Sequence, residues 1–430
     1  MTKYEYPSVG ETLYRTTLQN GLRVSVITKP GYTRCFAMFA TDYGGADRRF
    51  RLGGEFIDTP AGVAHYLEHK MFDMPDGDNA LALLASNGAQ PNAFTSSAMT
   101  AYYFESTTGF YENLETLLRF VSTPYFTEES VQKERGIIGQ EIRMGEDDPD
   151  HVVYDELMRC LYAHNPIRDT VAGTVESIAE ITPETLYNCH KIFYNPSNMT
   201  LCVAGDVDPE KIEDTARRIL CADAGETPER DYGPPEAETP VKTRFSRAME
   251  VSAPQFIFGA KLRAGARGEA LLRQKLVGSL VSNCLFGPSS PFYTRLYGDG
   301  LLNTDFGCGL DYSAGTLTFL AGGESRDPEK VFAEAMAEIE KASKEGFNHA
   351  YFSRSLKASY GKSIRALSSF AGLCASMADA DFGGYDFLDS FAILGSVTAG
   401  EACAYIREQL RPERFAMSVI EPVAAAPEAG

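Results

Sequence analysis

The sequence has no stretch approaching the roughly 18 uninterrupted apolar residues of a membrane-spanning helix, which argues against a membrane protein. It also lacks a basic excess: 59 acidic against 40 basic residues leave a formal charge of −19. Phosphate recognition needs a basic surface, so nucleic acid is excluded as a partner, and the acidic balance reads as a solubility device. The opening MTKYEYPSVGETLYRTT has no basic region followed by an apolar run, so no export signal is expected and the cytoplasm is the expected compartment. The nine cysteines are scattered, odd in number and without a C-x-x-C pair. That pattern argues for free thiols and against a disulfide framework or a thiolate zinc site.

What is present is a globular composition, 44% hydrophobic and 23% charged, in a chain of 430 residues. That length predicts two or more domains. Residues 221–240, CADAGETPERDYGPPEAETP, are rich in Pro, Glu, Ala and Gly and read as a linker between domains at 1–220 and 241–430. Each half follows a similar plan. LRVSVITK, CFAMFATDYG, NAFTSSAMTAYYFES and MTLCVAGDVD are strand candidates of the first, with YENLETLLRFV helical. QFIFGAKL and DYSAGTLTFLAGG are strand candidates of the second, with LLRQKLVGSLVSNCLF and VFAEAMAEIEKASKEGF helical. A duplicated α+β domain follows as the expected fold class. Aligning Phe126 with Phe347 sets Glu134 and Glu141 against Ser355 and Lys362, so polar chemistry is expected in the first copy only.

That chemistry centres on GVAHYLEHKMF, residues 62–72. Thr59-Pro60 ahead of it reads as a helix start, with Thr as cap. On a helix His65 and His69 lie one turn apart on one face, able to present both rings to one ion. Glu68 projects to the same side, where a carboxylate can take a proton from a metal-held water without being a ligand. This is the H-x-x-E-H pattern of inverzincins. With six histidines in the chain, such a match arises by chance on the order of once in a hundred.

Two histidines do not hold a catalytic metal, and carboxylates are abundant. In TEESVQKERGIIGQEIRMG, Glu134 and Glu141 are seven apart and share a helical face with Ile138. Val131, Ile137, Ile138 and Ile142 beside them predict a buried or half-buried face, where an unpaired carboxylate is costly. A solvated acidic stripe is the plain alternative. Beside the histidine pair, Glu141 is the favoured third ligand.

HYLEH, NGAQPNAFTSSAMTAYYF, KERGIIGQEI and FYNPSNMTLCVAGDVD occur in the order and spacing of the pitrilysin, insulinase and mitochondrial processing peptidase superfamily, which the chain resembles throughout its first half and more weakly in its second. HYLEHKMF, TPYFTEESVQKERGIIGQEIRM and AGTVESIAEIT are most similar to short bacterial two-domain members, some of which carry a label tying them to elongation factor P modification. The resemblance implies two homologous domains, each a mostly antiparallel sheet packed with helices, together making half of a clam-like chamber. It implies a zinc endopeptidase with one zinc per chain on His65, His69 and Glu141. Glu68 is then the general base and Glu134 an accessory glutamate. Asn92 and Ala93 would lie on the strand that receives an extended peptide by β-augmentation. His151, His164 and His190 are expected to be structural.

The second half departs from the pattern. Active members carry an Arg and a Tyr there that bind substrate and stabilise the developing oxyanion. In RLYGDGLLNTDF, Tyr297 and Asn303 occupy those places, and Arg295 is at the wrong offset. The expectation is a dimer: a homologous metal-free subunit, or a second copy, that completes the site. A non-proteolytic assembly subunit that kept the fold is the alternative.

Overall fold

The computed structural model describes residues 1–265 and 267–423. Fifteen strands are distributed over three sheets among the described residues. The largest contains β1 (Thr2–Tyr6), β2 (Glu11–Thr17), β3 (Arg23–Thr28), β4 (Cys35–Thr41), β7 (Ala89–Thr95), β8 (Thr100–Ser106) and β9 (Met199–Gly205). Their order is β1-β2-β3-β9-β4-β8-β7. A small ribbon has the order β10-β5-β6, from Glu229–Arg230, Arg49–Leu52 and Glu55–Asp58. The third sheet, of order β11-β15-β12-β14-β13, comprises Arg244–Met249 (β11), Gln255–Leu262 (β12), Gly307–Ser313 (β13), Thr316–Glu324 (β14) and Phe415–Pro422 (β15).

The duplication is visible in connectivity. In the first sheet β3 runs parallel to β9, and the β9-β4, β4-β8 and β8-β7 pairs are antiparallel. In the third, β11 runs parallel to β15, and β15-β12, β12-β14 and β14-β13 are antiparallel. The same five-strand core is therefore built twice. β4 and β9 are buried along their whole length, which explains why CFAMFAT and MTLCVAG read as apolar runs rather than alternations. NAFTSSAMTAYYFES, expected as one strand, spans the end of the first arm, the turn and the second arm of the β7–β8 hairpin, and DYSAGTLTFLAGG likewise folds back on itself as β13–β14. Ser-Ser and Ala-Gly at the tips supply the turns that the apolar pattern alone does not reveal.

The chain divides into two compact units, each drawing on both halves of the sequence. The first contains residues 1–142, 170–232 and 362–389. Its helix Phe110–Ser122 buries Leu114, Leu117, Leu118 and Val121 along one stripe, each contributing about 1.5–3 kcal/mol. Helix Phe370–Gly383, from late in the chain, packs on β4 and β9 of this unit. Its Asp381, with a side chain 5% exposed, accepts hydrogen bonds from Thr200 Oγ1 at 2.6 Å and Ser25 Oγ at 3.3 Å. The second unit contains, of the described residues, 143–169, 233–361 and 390–423. Helix Pro149–Leu161, from early in the chain, packs there on β12 and β15.

Stretch 221–240 is tied down at its middle and again further on. Arg230 of β10 pairs with buried Asp47 at 3.0 Å, and Tyr232 donates to the same carboxylate at 2.9 Å. Further on, Glu236 accepts backbone N–H bonds from Ala163, His164 and Asn165 at 2.6–3.0 Å. Among the described residues no helix is long and apolar enough to cross a membrane. None of the nine cysteines is in a disulfide.

Candidate metal centre and peptide-binding edge

The histidines ride on a helix, Val63–Lys70, that begins later than Thr59-Pro60 suggests. Thr59 does not cap it: its hydroxyl and amide both donate to the Arg48 carbonyl, at 3.1 and 2.8 Å. Gly62 occupies the cap position at φ 92°, a left-handed conformation that favours glycine. A Cβ there would lie 2.5 Å from the Ala172 carbonyl oxygen, so close approach as well as backbone shape requires glycine. The first helical turn is thereby pressed against residues 172–178, where Ser177 Oγ donates to the Ala61 carbonyl at 2.9 Å.

The second element is helix Glu128–Asp147. The Tyr66 hydroxyl donates to the Val131 carbonyl, and this bond ties the two helices together. Val131, Ile138 and Ile142 face the core. Ile137, expected with them, is 47% exposed, and Glu141 is 51% exposed, because the buried stripe turns away from both. Glu134, at 17%, is the better covered of the two glutamates.

Four side chains converge between these helices. His65 Nε2 lies 3.5 Å from one oxygen of Glu141, and His69 Nε2 lies 3.6 Å from the other. The ring centroids are 4.6 Å apart, with the planes at 67°. His69 Nδ1 lies 3.0 Å from Glu134 Oε1. With Nδ1–H donating to that carboxylate, the Nε2 lone pair is turned toward His65 and Glu141. His65 Nδ1 is buried and has no hydrogen-bond partner among the described residues.

One donor atom from each of His65, His69 and Glu141 falls within 4.8 Å of the others. Two atoms bound tetrahedrally to zinc at about 2.0–2.1 Å are about 3.3 Å apart. The observed 3.5 and 3.6 Å separations, each to a different oxygen of Glu141, are within a few tenths of an ångström of that, while one atom from each of the three residues spans up to 4.8 Å; two imidazoles with one carboxylate are an ordinary zinc donor set. The residues present therefore fit such an ion. The local field agrees. Burial opposes charge on His69, yet its bond to Glu134 and the charges of Glu68, Glu141 and Glu134 outweigh burial and raise its pKa. The hydrogen bond to His65 is the main cause holding Glu141 below its ordinary value, and the bond to His69 does the same for Glu134.

Glu68 is 8% exposed, and its Oε2 accepts a hydrogen bond of 2.6 Å from Thr95 Oγ1. Thr95 ends β7, the outermost strand of its sheet. Asn92 and Ala93 lie on that strand, paired on one side with Tyr103 and Tyr102 of β8. The Ala93 amide donates to the Asn92 side-chain oxygen at 2.9 Å. Pro91 within β7 also marks an edge, since proline cannot donate to a ladder.

Residues 53–175 match the model of "Insulinase (Peptidase family M16)" and residues 180–359 that of "Peptidase M16 inactive domain". The chain is 35% identical over 427 residues to the uncharacterized zinc protease YmfH of Bacillus subtilis, covering 97% of this chain and 98% of that one. The chain belongs to peptidase family M16. A crystal structure described as an M16-like peptidase, from Alicyclobacillus acidocaldarius, superposes with a TM-score of 0.92 at 35% identity over 98% of this chain and 100% of the other. The probable mitochondrial-processing peptidase subunit beta of Arabidopsis thaliana is 29% identical over 209 residues, 48% of this chain and 38% of that one.

Within this M16 chain the remaining histidines stand apart from the cluster. His190 is buried with Nε2 3.0 Å from the Val121 carbonyl oxygen, and His151 is exposed beside Asp148. In the second unit Asn303 Nδ2 bonds Glu324 at 3.1 Å and Asp305 at 3.3 Å, while Arg295 pairs with Glu334 at 2.9 Å. Tyr297 stacks on Tyr293 with centroids 5.6 Å apart. A groove of about 570 Å³ runs beside β13, lined in part by Gly307, Gly309, Gly322 and Gly323. Sequence reading overlooked Thr95, although it lies inside the quoted NAFTSS: its partner is 27 residues away on another element, and only the fold brings the two together.

Proposed function

We propose that the chain is a zinc-dependent endopeptidase acting on peptides or unfolded segments, with zinc on His65, His69 and Glu141. One observation carries this reading: two imidazoles and a carboxylate meet at ligand spacing beside an enclosed glutamate. Bound there, zinc supplies a Lewis acid and lowers the pKa of water. Glu68 accepts the proton and returns it to the leaving amine. Glu134 keeps His69 in the tautomer whose Nε2 is free. An extended peptide adds to the open side of β7 next to Asn92 and Ala93, where backbone hydrogen bonding fixes the scissile bond with little regard to sequence.

Glu68→Gln tests the role of the base: the variant should keep one zinc per chain and lose about 10²–10⁴ in kcat on an unfolded peptide. Unchanged hydrolysis would remove Glu68 from the mechanism.

We further propose that the active form pairs this chain with a homologous metal-free subunit, or with a second copy, in the cytoplasm. The support is the pair Tyr297 and Asn303, with Arg295 engaged by Glu334. The same observation favours a second reading, a non-proteolytic assembly subunit. Purification from the native source separates them: a co-purifying homologue that raises peptidase activity supports the first, and a zinc-free chain in an inactive complex supports the second. Efficient hydrolysis by the isolated monomer would contradict the partner.

A further inference from the structure

We propose that Thr95 is a positioning residue, which fixes Glu68 and couples its placement to occupancy of the β7 edge; this rests on the reading of Glu68 as general base. A 2.6 Å O–H···O bond to a carboxylate is in the short, charge-assisted class. Among the described residues no other side chain hydrogen-bonds Glu68. One oxygen is thus held by Thr95 and the other is left for proton transfer. Threonine is suited to the task because its branched side chain has few χ1 choices on a strand.

Thr95 is itself held from two directions. It faces Thr100 across the last pair of the β7–β8 hairpin. The Thr100 hydroxyl has a better acceptor in the Tyr43 carbonyl, at 2.9 Å, than in Thr95 Oγ1, at 3.3 Å, so Thr95 is not needed to satisfy Thr100. The hairpin tip is pinned by the loop after β4, where the Gly45 amide donates to the Ser96 carbonyl and the Ala46 amide to the Ser97 carbonyl, both at 2.9 Å. Gly44 packs so tightly there that a Cβ would lie 2.4 Å from the Ala98 nitrogen. That loop fixes the tip, but the β7 edge stays open. Thr95 is two residues beyond Ala93 on the strand proposed to receive the peptide. Peptide pairing along β7 therefore steadies the strand from which the base is held.

The test compares Thr95→Val with Thr95→Ser on the full zinc-loaded chain, with its partner if one co-purifies. Valine keeps the shape and removes the donor; serine keeps the donor. Thr95→Val should lower kcat about 10- to 100-fold with KM within about twofold, and Thr95→Ser should recover most of the loss. In the Glu68→Gln background, adding Thr95→Val should leave peptide affinity by calorimetry and zinc content unchanged. If the valine variant does not fold, Thr95→Ala against Thr95→Ser makes the same comparison. Unchanged kcat in a hydrolysing enzyme overturns the role of Thr95 while leaving Glu68 in place. A kcat loss accompanied by zinc loss, or not recovered by serine, overturns it as well. A wild-type chain that binds zinc but shows no hydrolysis defeats the reading of Glu68 itself and this proposal with it.

Discussion

Single side chains decide what the helix pair can hold. His69 Nδ1 meets the Glu134 carboxylate while His65 Nδ1 has no hydrogen-bond partner among the described residues, so Glu134 bears on one imidazole and not the other. Glu134→Gln should weaken zinc binding about 10- to 100-fold in a chelator competition while leaving the fold intact; unchanged affinity would make Glu134 a bystander. His190 tests burial in isolation. Its enclosed ring is pushed down to about 4 by desolvation, against an ordinary 6.5. The folded state therefore resists the proton that the unfolded state accepts. Stability from this residue is intact above pH 6.5 and declines as pH falls toward 4, by up to about 3 kcal/mol. Denaturation midpoints at pH 7 and 4.5 should differ more for the wild type than for His190→Gln; equal differences would contradict it. At this scale much of the site was legible, because an i, i+4 histidine pair and a seven-residue glutamate spacing are local geometry. Thr95 was not, because strand-to-helix proximity has no signature in either segment.

Elements show where local rules lose to context. Thr59-Pro60 has the chemistry of a helix start, but the β6 exit engages Thr59 with Arg48, and Gly62 begins the helix three residues on. The apolar runs around residues 92–106 and 311–323 reported strand type correctly and concealed the chain reversals between arms. Composition alone made 221–240 a linker, whereas its β10 segment joins a sheet and delivers Arg230 to an aspartate that is 1% exposed. Arg230→Ala strands that carboxylate without its cation and should cost about 3 kcal/mol in chemical denaturation. A double variant with Asp47→Asn should recover part of the loss. Additive losses from the two substitutions would show that the pair is not coupled.

At the scale of the whole molecule, one topology is used twice, and the His65, His69 and Glu141 cluster lies in one copy. The duplicated strand order was readable as a repeat of element types; the helix exchange that gives each unit a segment from the other half of the chain was not, because hydrophobic periodicity says which face is buried and not against what. The first unit alone contains His65, Glu68, His69, Asn92, Thr95, Glu134 and Glu141. The most direct measurement is anomalous diffraction at the zinc edge from crystals grown without added chelator. One peak per chain is expected, about 2.0–2.2 Å from His65 Nε2, His69 Nε2 and a Glu141 oxygen. A zinc-supplemented crystal with no peak between these three residues, or with zinc bound only elsewhere, would contradict it.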